Sequence, residues 1–397
     1  MDGKIKMCNR GFHACESPFD VFDYYTMIDS RFCEVEQDGN ISKWDRGTKI
    51  CSSKIKIKAE LKLADMINLG VEWLKEITSP EKIKTSIKDN SSGNNAQIGS
   101  SGDGAKIGSS GYGAKIGSSG YGAQIGSSGY DARIGSSGYG AQIGSSGYDA
   151  QIGSSGYDAR IGSSGNNAKI GSSGYGAQIG SSGYGAQIGS SGNNAQIGSS
   201  GNNAKIGSSG YGAQIGSSGY GAQIGSSGYD ARIGSSGNNA KIGSSGYGAQ
   251  IGSSGYGAQI GSSGNNAQIG SSGNNAKIGS SGDGAKIGSS GYDAQIGSSG
   301  DGAQIGSSGY GAKISSSGYG AKIDSTGEDC VIMCAGINSV AKASKGSWVT
   351  LSEWSYSEEK QRYIPICVKT EFVDGEKIKA DTYYSLKGGV FVEWIND

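Results

Sequence analysis

The side chains with the clearest potential for chemistry lie close to the start of the chain. The one histidine, His13, follows Cys8 and precedes Cys15 in the stretch CNRGFHAC, and Cys33 follows further along the chain. Imidazole and thiolate groups are ligands that zinc prefers, so Cys8, His13, Cys15 and Cys33 form a candidate four-ligand set. Their spacing matches no pair of Cys-x-x-Cys arms, and a packed, hydrogen-bonded histidine is the simpler interpretation. We therefore predict neither a metal nor any other cofactor.

Tyrosines form a second group of candidate functional residues. Sixteen of them occupy the same place in a nine-residue repeat, IGSSGYGAQ, that runs through most of the chain. Exposed aromatic rings are common anchors in protein interfaces and can also bind glycans. The alternative is that stacked rings only shield and stiffen an edge. The predicted binding surface comprises Tyr121, Tyr139, Tyr157 and Tyr175, with Tyr211, Tyr229 and Tyr247 as a further run, while Tyr112, Tyr130 and Tyr148 lie on the opposite edge.

The repeat itself predicts the elements that position these side chains. Ile recurs at every ninth residue from Ile98 to Ile323, 26 times in all, and Ala stands two residues before each. Residues two apart in an extended segment point to the same face, so Ala-x-Ile is expected to be a very short strand, followed by Gly-Ser-Ser-Gly and a corner. A flexible Gly/Ser linker has no reason to keep this register. Units that cannot bury their own apolar face must stack, which predicts a parallel β-solenoid. Its predicted core includes Ile98, Ile107, Ile116, Ala177, Ile179, Ile206 and Ile323.

The basic residues indicate how many repeats close one coil. Lys or Arg occupies the outward slot between Ala and Ile in 12 of the 26 repeats. Like charges directly across neighbouring strands are destabilising, and random placement would give about five basic pairs two repeats apart. The sequence has one such pair, Lys115 with Arg133. The depleted spacing should be the stacking spacing, which predicts about 18 residues per coil, two sheets and about 13 coils.

The corners constrain the backbone and argue against calcium. They read YG, YD, NN, DG or ED, and the second letter is always Gly, Asp or Asn, the residues that tolerate a left-handed conformation. We therefore expect a positive φ at each second corner residue. In the calcium-binding nonapeptide GGxGxDxUx, the required Asp aligns with Ala177 of this chain, which disfavours calcium.

The residues outside the repeat predict two different end domains. In the head, Ser17-Pro18 should open a helix with Phe19, Val21, Phe22 and Tyr25 on its apolar face, strands follow in RFCEVEQ and KICSSKIKIKAEL, and a second helix covers about 62–77. The tail has strand signals in SWVTLSEW, YIPICVKTEFV, KIKADTYYSL and VFVEW, with hairpin-type dipeptides at Asp374–Gly375 and Gly388–Gly389. The predicted fold is dominated by β-structure: a small α+β N-terminal cap at 1–88, a β-solenoid at 89–340 and an antiparallel β C-terminal cap at 341–397.

Both ends resemble one known family. The head (GFHACESPFDVFDYY, then RFCEVEQDGNISKWDRGTKICSSKIKI) resembles a domain of unknown function found in phage and prophage proteins, and the tail (GINSVAKASKGSWVTLSEW, then VDGEKIKADTYYSLKGGVFVEW) resembles the segment that usually closes those proteins. In that family a Gly/Ser-rich repeat of similar period joins the two ends. The resemblance implies a phage-associated protein without a known activity. GFHAC and the helix after it also resemble the strand and helix of ADP-ribosyltransferase-like folds, although the strand that would carry a first catalytic residue is missing.

Charge and composition limit the classes of function and partner that we expect for this chain. Thirty-five basic residues balance 35 acidic ones, which disfavours a nucleic-acid partner. We find no membrane-spanning stretch or secretion signal, and an odd count of seven cysteines indicates reduced thiols, so we expect a location in a bacterial cytoplasm or a virion. We predict a non-catalytic, phage-encoded solenoid rod that acts as a structural spacer or a repetitive surface for a protein partner, for self-association or for a glycan. The first alternative is a cytoplasmic inhibitor that binds a host protein, and the second is an enzyme or zinc site in the N-terminal domain.

Overall fold

The computed structural model describes residues 11–25, 30–43, 48–77 and 93–395. The chain divides into an N-terminal unit, Met1–Ala222, and a C-terminal unit, Gln223–Asp397. The boundary predicted between residues 88 and 89 lies outside the described residues, so the division into three domains stays a prediction. No helix in the described ranges is long and apolar enough to cross a membrane.

The N-terminal unit begins with a small α+β head. Its strands are β1 (Phe12–Cys15), β2 (Phe32–Lys43) and β3 (Lys49–Leu61), and they form an antiparallel sheet in the order β1-β3-β2. A 3-10 helix (Pro18–Asp23) and helix α1 (Leu63–Ile77) complete it. The predicted strands and second helix are therefore present, whereas the first helix is a single short 3-10 segment. Phe19 and Phe22 from this segment pack with Phe32 and Met66 in the head core. Tyr25, predicted on the apolar face, is 62% exposed because the segment ends before it.

The coils of the N-terminal unit use fourteen strands of four residues each. Even-numbered strands belong to the first solenoid sheet and odd-numbered strands to the second. Their bounds are β4 Gln97–Ser100, β5 Lys106–Ser109, β6 Lys115–Ser118, β7 Gln124–Ser127, β8 Arg133–Ser136, β9 Gln142–Ser145, β10 Gln151–Ser154, β11 Arg160–Ser163, β12 Lys169–Ser172, β13 Gln178–Ser181, β14 Gln187–Ser190, β15 Gln196–Ser199, β16 Lys205–Ser208 and β17 Gln214–Ser217.

Pairing follows the predicted period of two repeats per coil. Gln151 pairs with Lys169, Ile152 with Ile170, and so on through each strand, always in parallel. Lys115 lies directly opposite Arg133, the one basic pair expected from the sequence. The parallel β-solenoid with two sheets and about 18 residues per coil is thus confirmed.

Each repeat contributes an Ala, an Ile and one Ser to the interior of the coil. The predicted core residues Ile98, Ile107, Ile116, Ala177, Ile179, Ile206 and Ile323 are all buried. The strand position differs from the prediction: it covers x-Ile-Gly-Ser, not Ala-x-Ile, because the ladder extends to the Ser two residues after Ile. That Ser also points inward, as Ser181 shows with no exposed surface.

One glycine in each repeat is required by the stacking. At Gly111, an added Cβ would lie 2.1 Å from the carbonyl oxygen of Gly93 in the preceding coil, and at Gly174 it would lie 1.8 Å from that of Gly156. Any side chain at this position would force the coils apart. The second corner residue is constrained differently, since its φ lies between 51° and 69° in every described repeat, which confirms the predicted left-handed conformation.

The C-terminal unit continues the same pattern and then adds the tail. Its coil strands are β18 Gln223–Ser226, β19 Arg232–Ser235, β20 Lys241–Ser244, β21 Gln250–Ser253, β22 Gln259–Ser262, β23 Gln268–Ser271, β24 Lys277–Ser280, β25 Lys286–Ser289, β26 Gln295–Ser298, β27 Gln304–Ser307, β28 Lys313–Ser316, β29 Lys322–Ser325, β30 Val331–Cys334 and β31 Val340–Ala343. The tail strands are β32 Trp348–Ser357, β33 Arg362–Phe372, β34 Tyr384–Lys387 and β35 Val390–Glu393.

The solenoid passes gradually into the tail. Ile332 and Ala341 keep the register of Ile314 and Ile323, so the boundary predicted between 340 and 341 falls inside β31. The first half of β32 still pairs in parallel with β30, and its full length pairs antiparallel with β33. The antiparallel pairing predicted for the C-terminal cap is therefore present.

The sequence predicts two hairpin turns in the tail, and the structure contains one of them. Gly388 and Gly389, with φ of 58° and 72°, form the two-residue turn between β34 and β35, as their type predicts. Asp374–Gly375 joins no pair of strands. The Asp374 carboxylate accepts the N–H groups of Glu376 and Ile378 and folds the chain into a loop. Only the last three residues of the predicted strand KIKADTYYSL, 384–386, belong to β34.

Replacing Ile206 by Asp should break the stack locally. Ile206 is 3% exposed and lies against Ile188 of the neighbouring strand, so its replacement would bury a carboxylate without a partner. We expect a loss of about 3–5 kcal/mol in unfolding free energy and new protease cleavage near residue 206. Thermal melting and limited proteolysis measure both. Lys205→Gln is the matched control, because Gln occupies the same outward slot in neighbouring strands; unchanged melting of Ile206→Asp would contradict the interior packing.

Candidate functional site

Three of the four candidate zinc ligands lie in the described residues, and strand pairing separates Cys33 from His13 and Cys15. His13 lies opposite Cys51 on β3, whereas Cys33 lies opposite Glu60. The strand segment between Cys51 and Glu60 corresponds to about 30 Å, far beyond a shared coordination sphere. Cys8 lies outside the described residues. Within the ranges that the structure describes, no group of three or more potential ligands could hold a metal ion.

Two buried cysteines of the C-terminal unit take the places of small core residues. Cys330 stands in the Ala slot of its repeat and Cys334 in the inner Ser slot, and both are buried. Burial raises the pKa of the Cys334 thiol to about 12. A thiol that stays protonated at neutral pH is a poor nucleophile, so this position serves packing.

From Asn94 to Tyr319 the first corner residue is an Asn, an Asp or a Tyr, and the structure gives each a defined role. Where it is Asn or Asp, the side-chain oxygen accepts the N–H of the corresponding residue in the next coil, as Asn166 does for Tyr184 at 2.9 Å and Asp301 for Tyr319 at 2.8 Å. In addition, the second corner residue donates its N–H to the carbonyl of the next coil, such as Gly113 to Tyr130 at 2.8 Å. The corners therefore continue the hydrogen-bond ladder of the sheets.

The corner tyrosines are exposed, and several stack. All sixteen have between 44% and 61% of their surface exposed. Ring centroids are 5.2 Å apart in the pairs Tyr121–Tyr139 and Tyr130–Tyr148, with planes within 8° of parallel. Tyr139–Tyr157, Tyr157–Tyr175 and, in the C-terminal unit, Tyr229–Tyr247 are at 6.4 Å. The predicted column from Tyr121 to Tyr175 is thus an observed geometry, while its role in binding stays a prediction.

Several corner tyrosines, including Tyr175 from the column, are held by a side chain from the second corner position of the next coil. Asn194 donates to the Tyr175 hydroxyl at 2.6 Å, and Asn203 donates to Tyr184 at 2.7 Å. In the corresponding place, Asp131 hydrogen-bonds Tyr112, and this bond and the negative charge raise the pKa of the Tyr112 phenol. We did not anticipate these contacts from the sequence, although Asn or Asp recurs at this position after many of the tyrosines, which is a visible signal.

Stacking hides part of each ring in these columns. In a stacked pair such as Tyr121–Tyr139, each ring covers one face of its neighbour, and the rings remain exposed at their edges.

The head occupies a second surface of the N-terminal unit. Helix α1 crosses the outer face of the second solenoid sheet, in contact with β7, β9, β11, β13, β15 and β17. Its 15 residues span about 22 Å, close to the width of about 24 Å of six adjacent strands, so the helix runs along the stacking direction. The glycines that follow Ile in these strands lie beneath it, and all six are buried: Gly126, Gly144, Gly162, Gly180, Gly198 and Gly216.

Close packing and polar contacts fix the head in place. An added Cβ at Gly180 would lie 3.1 Å from Ile67 Cγ2 and 3.2 Å from the Phe19 ring. Gln196 donates from Nε2 to the Phe22 carbonyl at 2.9 Å. Arg160 Nη1 lies 3.0 Å from Asp20 Oδ1, and both side chains are largely buried. The described part of the head therefore covers a face of the second sheet.

In the C-terminal unit, charged and aromatic side chains converge where the second sheet meets the tail. Asp324 Oδ2 lies 3.0 Å from Lys342 Nζ and accepts the Tyr383 hydroxyl at 3.2 Å. Lys322 Nζ lies 4.4 Å from the Tyr383 ring centre and 4.9 Å from that of Trp394. Burial and the neighbouring Asp324 charge raise the pKa of Tyr383 to about 12. This cluster ties the end of the chain to β29.

Replacing Gly180 by Val should release the head from the solenoid. The larger side chain cannot fit against Ile67 and Phe19, whereas Val is compatible with the strand itself. Hydrogen exchange should show faster exchange of α1 amides and unchanged exchange in the coils. The control is Gly189→Val on the first sheet, where an added Cβ meets nothing within 4 Å. Wild-type protection of α1 in Gly180→Val would refute the docking.

Stability should fall with rising pH through the ionisation of Tyr383. Because the folded-state pKa of about 12 exceeds the ordinary value of 10, the unfolded chain loses this proton first. The contribution is complete below pH 10 and is lost between about pH 10 and 12. Denaturant unfolding across this range should show a steeper decline for the wild type than for Tyr383→Phe. Equal slopes would contradict the assignment.

The comparison with known proteins found a match for the head alone. Residues 1–69 match the model of a domain of unknown function (DUF7666). No curated protein and no solved structure matches the chain. The matched segment ends within α1, so it comprises β1, β2, β3 and the 3-10 helix that packs against the second sheet. The head is thus similar to a recognised domain of unknown function. The repeat lies outside this match, and its fold is known from the structure alone.

Proposed function

We propose that the chain is a non-catalytic β-solenoid that binds a protein partner through its repeated corner tyrosines. The supporting observation is that these rings are exposed and yet held in fixed positions, by stacking in Tyr121 and Tyr139 and by the Asn194 amide in Tyr175. Aromatic anchors that are already ordered lose little entropy when a partner binds. A repeated array also multiplies weak contacts, provided that the partner can engage several at once.

The biological setting is part of the same proposal. The resemblance of both ends to phage and prophage proteins supports a phage-encoded protein in a bacterial cytoplasm or a virion. A structural role in the virion and the capture of a host protein are both compatible with a binding solenoid, and the partner distinguishes them. A polyphosphate partner is disfavoured, because acidic residues such as Asp131 and Asp149 stand beside the tyrosines at the corners.

Replacing corner tyrosines by Asn should remove binding without harming the fold. Asn occupies the same slot in this chain, and at Asn166 its side chain accepts a hydrogen bond from the next coil. We expect the combined variant Y121N/Y139N/Y157N/Y175N to keep its melting temperature and to lose at least about tenfold in affinity for its partner. Affinity capture from the bacterial lysate and from purified virions identifies the partner, and titration measures the loss.

The control for this experiment changes an outward face and leaves the corners intact. In the variant K169Q/K205Q, Gln replaces Lys in a slot where neighbouring strands already carry Gln, such as Gln187. Capture should be unchanged. If the tyrosine variant captures the same proteins with the same affinity as the wild type, the corner surface is not the binding site.

A further inference from the structure

An open groove runs along the second sheet of the C-terminal unit. It has a volume of about 520 Å³ and crosses β23, β25, β27 and β29. Its floor is formed by Gly270, Gly288 and Gly306, its side by the serines that follow them, and its end by Asp324 and Thr326. These glycines occupy the slot that α1 covers in the N-terminal unit.

The same chain shows what this kind of surface binds. In the N-terminal unit the glycine strip receives an amphipathic helix, with Ile67 and Phe19 packed so closely on Gly180 that an added Cβ would touch both. At Gly288 an added Cβ meets nothing within 4 Å. The two strips have the same backbone and the same inner residues. The difference is that one is filled and the other is open.

The outward residues of the groove specify the charge of its occupant. In the head site, the basic residue Arg160 is neutralised by Asp20 at 3.0 Å, which allows it to be covered. In the groove, Lys286 holds the equivalent slot, exposed between Gln268 and Gln304. An occupant must bring an acidic side chain to Lys286, since covering an ammonium group without a partner is costly.

Asp324 stands at the end of the groove with its carboxylate already engaged. Its Oδ2 lies 3.0 Å from Lys342 Nζ and accepts the Tyr383 hydroxyl. The four strands span about 14 Å, which corresponds to a helix of about ten residues.

We propose that this groove binds a short amphipathic α-helix of a partner protein, with small and apolar side chains on Gly270, Gly288 and Gly306 and an acidic side chain beside Lys286. The proposal deepens the proposed binding function and rests on it, but it concerns a sheet face and not the corners. A second copy of this chain is a less suitable occupant, because its own α1 is already packed on its N-terminal unit.

The test uses a probe whose fit to the glycine strip is known. A fluorescent, helix-stabilised peptide with the sequence of residues 62–77, KLADMINLGVEWLKEI, carries Gly70, apolar residues and three acidic residues. Fluorescence anisotropy with the full-length chain should show saturable binding of one peptide per chain. Gly288→Trp should weaken it at least about tenfold, since the indole fills the groove from a position where a side chain has room. Lys286→Glu should weaken it as well.

The matched control for Gly288→Trp is the same substitution on the other sheet. Gly279→Trp places the same side chain on the first sheet, where an added Cβ also meets nothing within 4 Å, and binding should stay within about twofold. Equal loss in both variants, or no loss in Gly288→Trp, would overturn the proposal. Peptide binding that changes only in Gly180→Val would assign it to the head site instead. Sedimentation that shows a dimer abolished by Gly288→Trp would make a second copy the occupant. None of these variants alters a corner tyrosine, so a failure here is distinct from a failure of the proposed function.

Discussion

Close stacking of each coil on the coil before it is the constraint on which the rest of the structure depends. The chain can approach itself this closely only where it lacks a Cβ, as at Gly174, whose Cα faces the Gly156 carbonyl. This contact sets the spacing that lets the strands form parallel ladders, places Ile over Ile in the interior, and puts each corner residue above its equivalent. Because each coil consists of two copies of the same repeat, every side chain then lies beside the residue at the same repeat position in the next coil.

The stacking leaves the outward slots free, and the molecule uses them in different ways. The glycine after Ile is not needed for stacking, since Ser315 and Asp324 occupy the same slot without disturbing the ladder. Where glycine is present, the sheet face is a smooth strip on which a helix can lie at van der Waals distance. The corners instead project side chains, and the choice between Asn and Tyr decides whether a corner extends the backbone ladder or displays a ring.

The sequence was sufficient for the architecture of the coils and insufficient for the exact strand position, the contacts of the corner side chains and the docking of the head. Ile spacing, the scarcity of basic pairs and the corner letters together predicted the solenoid, its coil length and its left-handed corner residues. The docking of the head could not be predicted, because Asp20 and Arg160 are far apart in sequence and Gly180 looks the same as every other outward glycine. Asp374–Gly375 has the letters of a hairpin turn, but its carboxylate folds a loop instead. The separation of His13 from Cys33 likewise depends on strand pairing that spacing alone does not reveal.

Charge in the outward slot explains why the head lies on one sheet and not on the other. All coils of the N-terminal unit offer the same glycine strip, so the residue between Ala and Ile is the main difference between their strands. From Gln124 to Gln214 the second sheet has Arg160 as its one basic outward residue, and Asp20 neutralises it. Over a similar range the first sheet carries Lys115, Arg133, Lys169 and Lys205, and covering these with an apolar helix would cost the hydration of several charges. A uniform repeat thus acquires a specific docking position from a few substitutions that leave its stacking untouched.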